Sequence, residues 1–486
     1  MAVALPILGG LGAGAAGFFG ISLAATSLTA ILIGGLIVVG GALLVGKMIK
    51  AKQAGAGRQD PGMLVNKNSN NDPIPIVYGE RRVGATRTFM RSAGADGASG
   101  SNEYLHIVYT ICEGPIEDIT KVFFNDLLIF KKSAIGASDP DFDNTTGIAL
   151  NAGEDGIDYS GIVEIIAYDG SQTTADPVLV SRFSEWTSAH VGNGIVYAYV
   201  RLKYDREAFS GLPTVTFQVK GRKVRDVDNI SNPEAYSKDP ANIVYDYLTH
   251  PIYGRGFSSD LLDITSFQDA QDYYEGTHTY LGAARYVLDG ALSTDDNTYE
   301  NTQRILACCN SALIFSNGRY KLIPFKQANS TDTVNESHIV DNWNMSFGDK
   351  TNRFNTVKVR FTNESDDYQQ GSAVIENSTF KTADNGLVLQ KEIGLDLVVD
   401  PDRAKLIAYE LMKQSRYDTT VELTLPHTKQ TIEPMDVITF EHPYLPDDTP
   451  TLYRVLDVML RADGTLQVQL QQYNASVYTE EDPATL

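Results

Sequence analysis

EYLHIVYTICEGPIEDITKVFFND occupies residues 103–126. Tyr104 to Cys112 alternates apolar and polar side chains well enough for a strand. Glu113-Gly114-Pro115 ends that strand with turn chemistry. Lys121 to Phe130 (KVFFNDLLIF) then reads as a hairpin turning at Asn125-Asp126. The whole stretch is β, and its neighbours follow suit. Pro73 to Met90 reads as two short strands around a Gly turn, and Ile162 to Tyr168 is strand-like. GIVYAYVRLKY at 194–204 and TVTFQVK at 214–220 alternate strongly. Residues 73–225 therefore form a first β domain, with a polar, Gly/Asp-rich insertion at about 131–193.

Downstream the pattern changes period. Asn242 to Leu248 has helical spacing after Asp239-Pro240, a helix start. His250 to Phe257 (HPIYGRGF) is a turn carrying Gly254 and Gly256. Ser266–Glu275 and Thr302–Ser311 read as helices. Ala312 to Phe325 is a hairpin with Asn317-Gly318 at its turn, the strongest local β signal in the chain. Residues 226–330 are thus an α+β module. From 331 to 478 the reading returns to β, around an amphipathic helix at Pro401–Ser415. Strands at 355–361, 419–425, 435–440, 452–459 and 465–471 make a small barrel or curved sheet, with a hairpin turn at Asp463-Gly464. Residues 479–486 are an acidic tail. The fold class is mainly β with an α+β module.

Composition bounds what such a chain does. At 486 residues it holds about three domains. With 43% apolar and 21% charged residues it is globular in composition. A net charge of −21 argues against a general nucleic-acid binder, which needs a basic face. Three cysteines, Cys112, Cys308 and Cys309, are too few to staple a fold of this length and read as reduced, buried thiols in a reducing cytoplasm.

Ala2 to Gly46 contains no Asp, Glu, Lys or Arg. Phe18 to Val45 has the roughly 20 residues a bilayer-spanning helix takes. Its apolar members include Phe18, Phe19, Ile21, Leu28, Ile31, Leu36, Val39 and Leu43. Gly10, Gly14, Gly35 and Gly40 supply small faces for close helix packing. Three readings stand: a resident membrane anchor, a segment sequestered in an oligomer and released into a membrane later, or a buried structural element. Residues 1–50 form this segment and 51–72 a Gly/Gln/Asn/Ser-rich linker.

Catalytic signals are sparse. The histidines His106, His190, His250, His278, His338, His427 and His442 are scattered singly, and no HExxH, GxSxG or Walker loop occurs. Asp139, Asp141 and Asp143 start like a calcium loop, but Pro140, the missing Gly at the sixth position and Leu150 at the twelfth favour a solvated acidic loop. Arg81-Arg82 read as a solvated edge-strand pair, and Phe183 with Trp186 as a core anchor. No catalytic residue, metal site or cofactor is assigned.

The order of segments carries a resemblance. IVYGERRVGATR (76–87), residues 103–126, residues 194–226, NIVYDYLTHPIYGRGF (242–257), TQRILACCNSALIFSNGRYKLIPF (302–325), RFNTVKVRF (353–361) and residues 403–440 follow one another as in the siphophage tail tip attachment protein J group, or central tail hub (baseplate hub) proteins. The chain resembles a short form without the receptor-binding fibre extension, and the uncharged N-terminus departs from the family's pattern. The resemblance implies a non-enzymatic virion protein at the distal tail tip. It also implies a homotrimer whose two tail-tube-like β-barrel domains per chain close or continue the tube. Implied partners are the distal tail protein, the tape measure protein and fibre proteins, with DNA passing through without sequence-specific binding. Three copies carry a formal charge of about −63, which would keep phosphates sliding rather than sticking. The apolar N-terminus would be a plug or a host-membrane insertion element. The alternatives are a membrane-anchored surface or pore-forming protein and a tail-associated cell-wall hydrolase.

Overall fold

Asn125 and Asp126 both take left-handed backbone angles, with φ of 49° and 67°, so the hairpin they close has the turn that twisted antiparallel strands favour. The computed structural model in which this is seen describes residues 64–68, 72–100, 102–131, 159, 161–348, 352–445 and 451–481. The N-terminal residues from Gly10 to Leu43 named above, and Asp139, Asp141 and Asp143, lie outside the described residues. The chain is mainly β with few helices.

Two sheets face each other in the first unit. One is ordered Lys67–Asn68, Thr86–Ala93, Tyr104–Glu113, Ile195–Lys203, Val163–Tyr168. The other is ordered Ala235–Tyr236, Val215–Val224, Ile116–Phe124, Leu127–Lys131, with Glu80–Val83 also paired to Val215–Val224. Ile107, Tyr109, Ile111, Val122, Val200 and Phe217 meet between them. The Tyr104–Glu113 strand is apolar on both sides because both sides are covered. Val108 on its other face packs with Tyr197, Tyr199 and Leu179 of a short helix, Pro177–Arg182. Asp176 caps that helix, accepting from Val178 N and Leu179 N. Trp186 and Phe183 stand edge-on to Phe89 at 5.8 and 5.2 Å, as a core anchor should.

Arg81 and Arg82 correct the sequence reading. Both are fully buried rather than solvated. Their strand is held by Val215–Val224, and Arg82 lies 3.9 Å over the Phe123 ring while donating to Thr216 Oγ1 (2.9 Å) and Asp126 (2.5 Å). Residues 73–90 also hold three strands, Pro75–Tyr78, Glu80–Val83 and the start of Thr86–Ala93, where two were expected.

The central core is α+β. Helices Pro240–Thr249, Ile264–Glu275, Thr298–Cys308 and Pro401–Gln414 enclose the hairpin Ser311–Ser316/Arg319–Pro324. They also pack on a three-stranded sheet ordered Gln369–Glu376, Thr356–Asn363, Gln390–Leu395. Asp239 accepts from Ala241 N at 2.8 Å and Pro240 occupies the first turn, which starts the first helix where the sequence placed it. The third helix runs 298–308 rather than 302–311. Asn297 caps it, and Asn310 with φ 48° reverses the chain straight into the Ser311 strand. The strand Gln369–Glu376 and the short helix Ser378–Ala383 were not anticipated.

The last unit is a half-barrel sheet ordered Asp332–Asn335, Val437–Glu441, Thr451–Leu460, Leu466–Gln472, Thr420–Leu425, Asn344–Ser346. Val334, Leu423, Phe440, Val455 and Val468 fill its concave side. Residues 354–412 contribute to the α+β core, so the half-barrel is assembled from the stretches flanking them. After the last strand, Val477 and Tyr478 are buried, Tyr478 accepting from Arg454 at 3.0 Å. Glu480 then accepts from Thr279 N at 2.9 Å and from Arg285 at 2.7 Å. Among the described residues no helix is long and apolar enough to cross a membrane.

Candidate functional site: a buried polar junction under the Glu113–Pro115 turn

Five residues singled out in the sequence, Glu113, Gly114, Pro115, Gly254 and Gly256, belong to two loops more than a hundred residues apart. Arg222 joins them. It leaves the Val215–Val224 strand and donates to the Gly114 carbonyl oxygen from Nη1. Its Nε lies 3.8 Å from Asp246 Oδ2, and its guanidinium sits 5.1 Å over the ring of Tyr253, the residue before Gly254. Asp246 Oδ2 also accepts from Tyr78 Oη at 2.6 Å and from Tyr253 Oη at 2.7 Å. Four elements therefore end on one carboxylate and one guanidinium: the strands at 78 and 222, the helix at 246 and the turn at 253.

The glycines make room for this. A Cβ on Gly114 would lie 2.8 Å from the Asp169 carbonyl oxygen and 2.8 Å from Gly170 Cα. A Cβ on Gly254 would lie 2.7 Å from the His250 carbonyl oxygen and closer still to that of Tyr247. Gly256 has φ +62° and donates its N–H to the His250 carbonyl oxygen at 3.1 Å. It is the left-handed residue that turns the loop back. The Gly114–Pro115 peptide is cis.

Burial sets the electrostatics. It raises the Asp246 carboxyl above the ordinary range, against the opposing pull of Arg222 and the two tyrosine donors. Burial also raises Glu113, again opposed by Arg222. Tyr78 and Tyr253 are pushed up by burial and then by the Asp246 charge, so both stay protonated as donors. His250, stacked on Tyr253 at 3.7 Å, is pushed down to about 4 by burial and then by Arg222. It is neutral at pH 7. The arrangement offers no poised nucleophile. It is a buried knot of hydrogen bonds and one ion pair that fixes two units in one geometry.

Sequence reasoning found the turns and missed Tyr78, Arg222, Asp246 and Tyr253. One signal was available: Asp246 is the lone charge within the apolar helical run NIVYDYL. Among the described residues no group of His, Cys, Asp or Glu side chains could hold a metal. Cys112, Cys308 and Cys309 are buried and form no disulfide with one another.

A family model described as putative phage tail protein matches residues 297–458. The baseplate hub protein pb3 of Escherichia phage T5 is 25% identical over 471 residues, covering 84% of this chain. The chain spans 48% of the length of that relative. A chain from the virion of a native gene transfer agent particle shares the fold, with a TM-score of 0.64 and 13% identity over 99% of this chain and 98% of that one. Together these findings support a phage tail hub family for this chain.

Proposed function

We propose that the chain is the hub at the distal tip of a phage tail, a homotrimer that closes or continues the tail tube and serves in host attachment and as a conduit for DNA ejection. The observation that carries this reading is the match to a baseplate hub protein over 84% of the chain. The fold supplies the means. Each copy brings a two-sheet unit and a half-barrel, the two candidates for tube-like domains. The half-barrel ends in short strands, Asp332–Asn335 and Asn344–Ser346, that are free to meet another copy. A lumen carrying part of the net −21 per chain would let DNA slide. Partners in this reading are the distal tail protein, the tape measure protein, fibre proteins and passing DNA. The uncharged residues 1–46 serve as a plug or as the element that enters the host membrane.

Light scattering on the full chain and on a chain beginning at Asp60 tests this. Each is expected at three times its own chain mass, which is 53.1 kDa for the full chain. A trimeric full chain with a monomeric shortened one would make the apolar segment the driver of assembly. Monomers in both cases would sink the trimer.

A further inference from the structure

We infer that the strand Gln369–Glu376 is a docking edge that takes up an extended segment of another protein, apolar opposite Val374 and bearing Lys or Arg at its end beside the Glu364–Asp367 turn. The inference rests on the hub reading. At eight residues this is the longest terminal strand in any sheet of the described residues. Among the described residues it pairs on one side only, with Thr356–Asn363, in eight consecutive antiparallel pairs without a bulge. Such an edge leaves a row of N–H and C=O groups facing outward. Proteins usually guard it with lysine, proline, a bulge or shortness. QQGSAVIE has none of these, and its single charge, Glu376, is paired with Lys381 at 2.7 Å.

Both faces of the strand have fixed roles. Ile375 and Ala373 pack inward on the α+β core. Gln370, Ser372 and Val374 face outward, and Val374 is 62% exposed. Behind them, Lys358 and Arg360 on the middle strand are both spent on Glu392, at 3.8 and 3.0 Å. The charge left uncompensated on this edge is acidic. Glu364, Asp366 and Asp367 are all exposed in the turn that leads into the strand. A main-chain ladder supplies affinity, and alternate side chains supply choice. The choice here is an apolar residue at Val374 and a cation at the acidic turn. No other terminal strand of the described residues combines this length, exposure and lack of guarding.

The test is hydrogen–deuterium exchange of residues 369–376 in the isolated chain and in purified tails. Outward amides that exchange freely in the isolated chain are expected to slow about 100-fold or more in tails. Val374→Lys places a guard on the edge, and Asp366→Lys reverses the turn's charge. Each is expected to keep wild-type circular dichroism and oligomer mass while losing that protection. Equal exchange in tails and isolated chain overturns the inference. So does protection already present in the purified oligomer alone, which would make the occupant a second copy. Immunoblotting of the tails separates a third case: absence of the chain from them fails the hub reading and this inference together.

Discussion

Arg222→Met is expected to remove about 3–5 kcal/mol of stability, measured by urea unfolding followed by circular dichroism. Methionine fills the volume of the side-chain stem but leaves the buried Asp246 without its cation and the Gly114 carbonyl oxygen without its donor. Removing one member of a buried, hydrogen-bonded charge pair costs far more than removing an exposed one. Arg225→Met, three residues along, is the control. Its side chain is half exposed and 3.7 Å from Glu234, so the change should stay within about 0.5 kcal/mol. The loss also has a sign in pH. Burial already raises Asp246 above its unfolded value, so ionising it costs the native state. In the variant this cost vanishes at low pH, where the carboxyl is protonated in both states. It grows as pH rises above about 4 and through the native pKa. The variant should therefore compare better with wild type at pH 5 than at pH 8. Equal stability of the Arg222 and Arg225 variants would mean that the knot holds nothing together.

The second large effect belongs to the loop beneath that knot. Gly254→Ala should destabilise the chain by more than about 4 kcal/mol, or leave it in inclusion bodies. The new methyl meets the Tyr247 and His250 carbonyl oxygens, which are main-chain atoms at the end of a packed helix. Backbone cannot rotate aside as a flexible side chain does, so the turn must leave its place. Tyr253 would then be carried away from Asp246. Gly256→Ala offers the contrast. There the nearest atom is Pro251 Cα at 3.6 Å, an ordinary contact, and the cost is that of a left-handed alanine, about 1–2 kcal/mol. Thermal unfolding of the two variants side by side checks the ranking. Gly256→Ala proving the worse would show that backbone angle, not close approach, governs this loop.

How much of this was readable in advance depended on how local each signal was. The turns Asn125-Asp126 and Asn317-Gly318 need only their own residues, and they sit where the sequence put them. Asp239-Pro240 likewise marks a helix start within two residues. Asp332–Asn335, by contrast, is four residues long and pairs in parallel with Val437–Glu441, a hundred residues on. No periodicity in four residues announces such a partner. Gln369–Glu376 was passed over because one face is polar and the edge is bare, which leaves little hydrophobic pattern to read. Arg81 and Arg82 looked solvated because charge is the default mark of surface. Their burial follows from the Phe123 ring and the strand pairing that enclose Arg82, which only the fold supplies. The site behaved in the same way. Glycines and a proline flagged its turns, while the arginine that ties them together lies in a strand and reaches across the fold.

The central core has a consequence for how the protein is made. Ile76 and Tyr78 share that core with Leu411 and Met412. A ribosome adding 5–20 residues per second needs roughly 20–80 s to reach residue 412. The two facing sheets draw most of their strands from residues 80–236, so they can close long before then. Through the rest of synthesis, the apolar residues destined for the core wait for partners not yet translated. An interrupted product keeps those residues bare and invites proteolysis. Only a chain with 437–472 in place beside 332–335 presents the half-barrel. The half-barrel therefore forms after the two facing sheets, once its last strand has been translated.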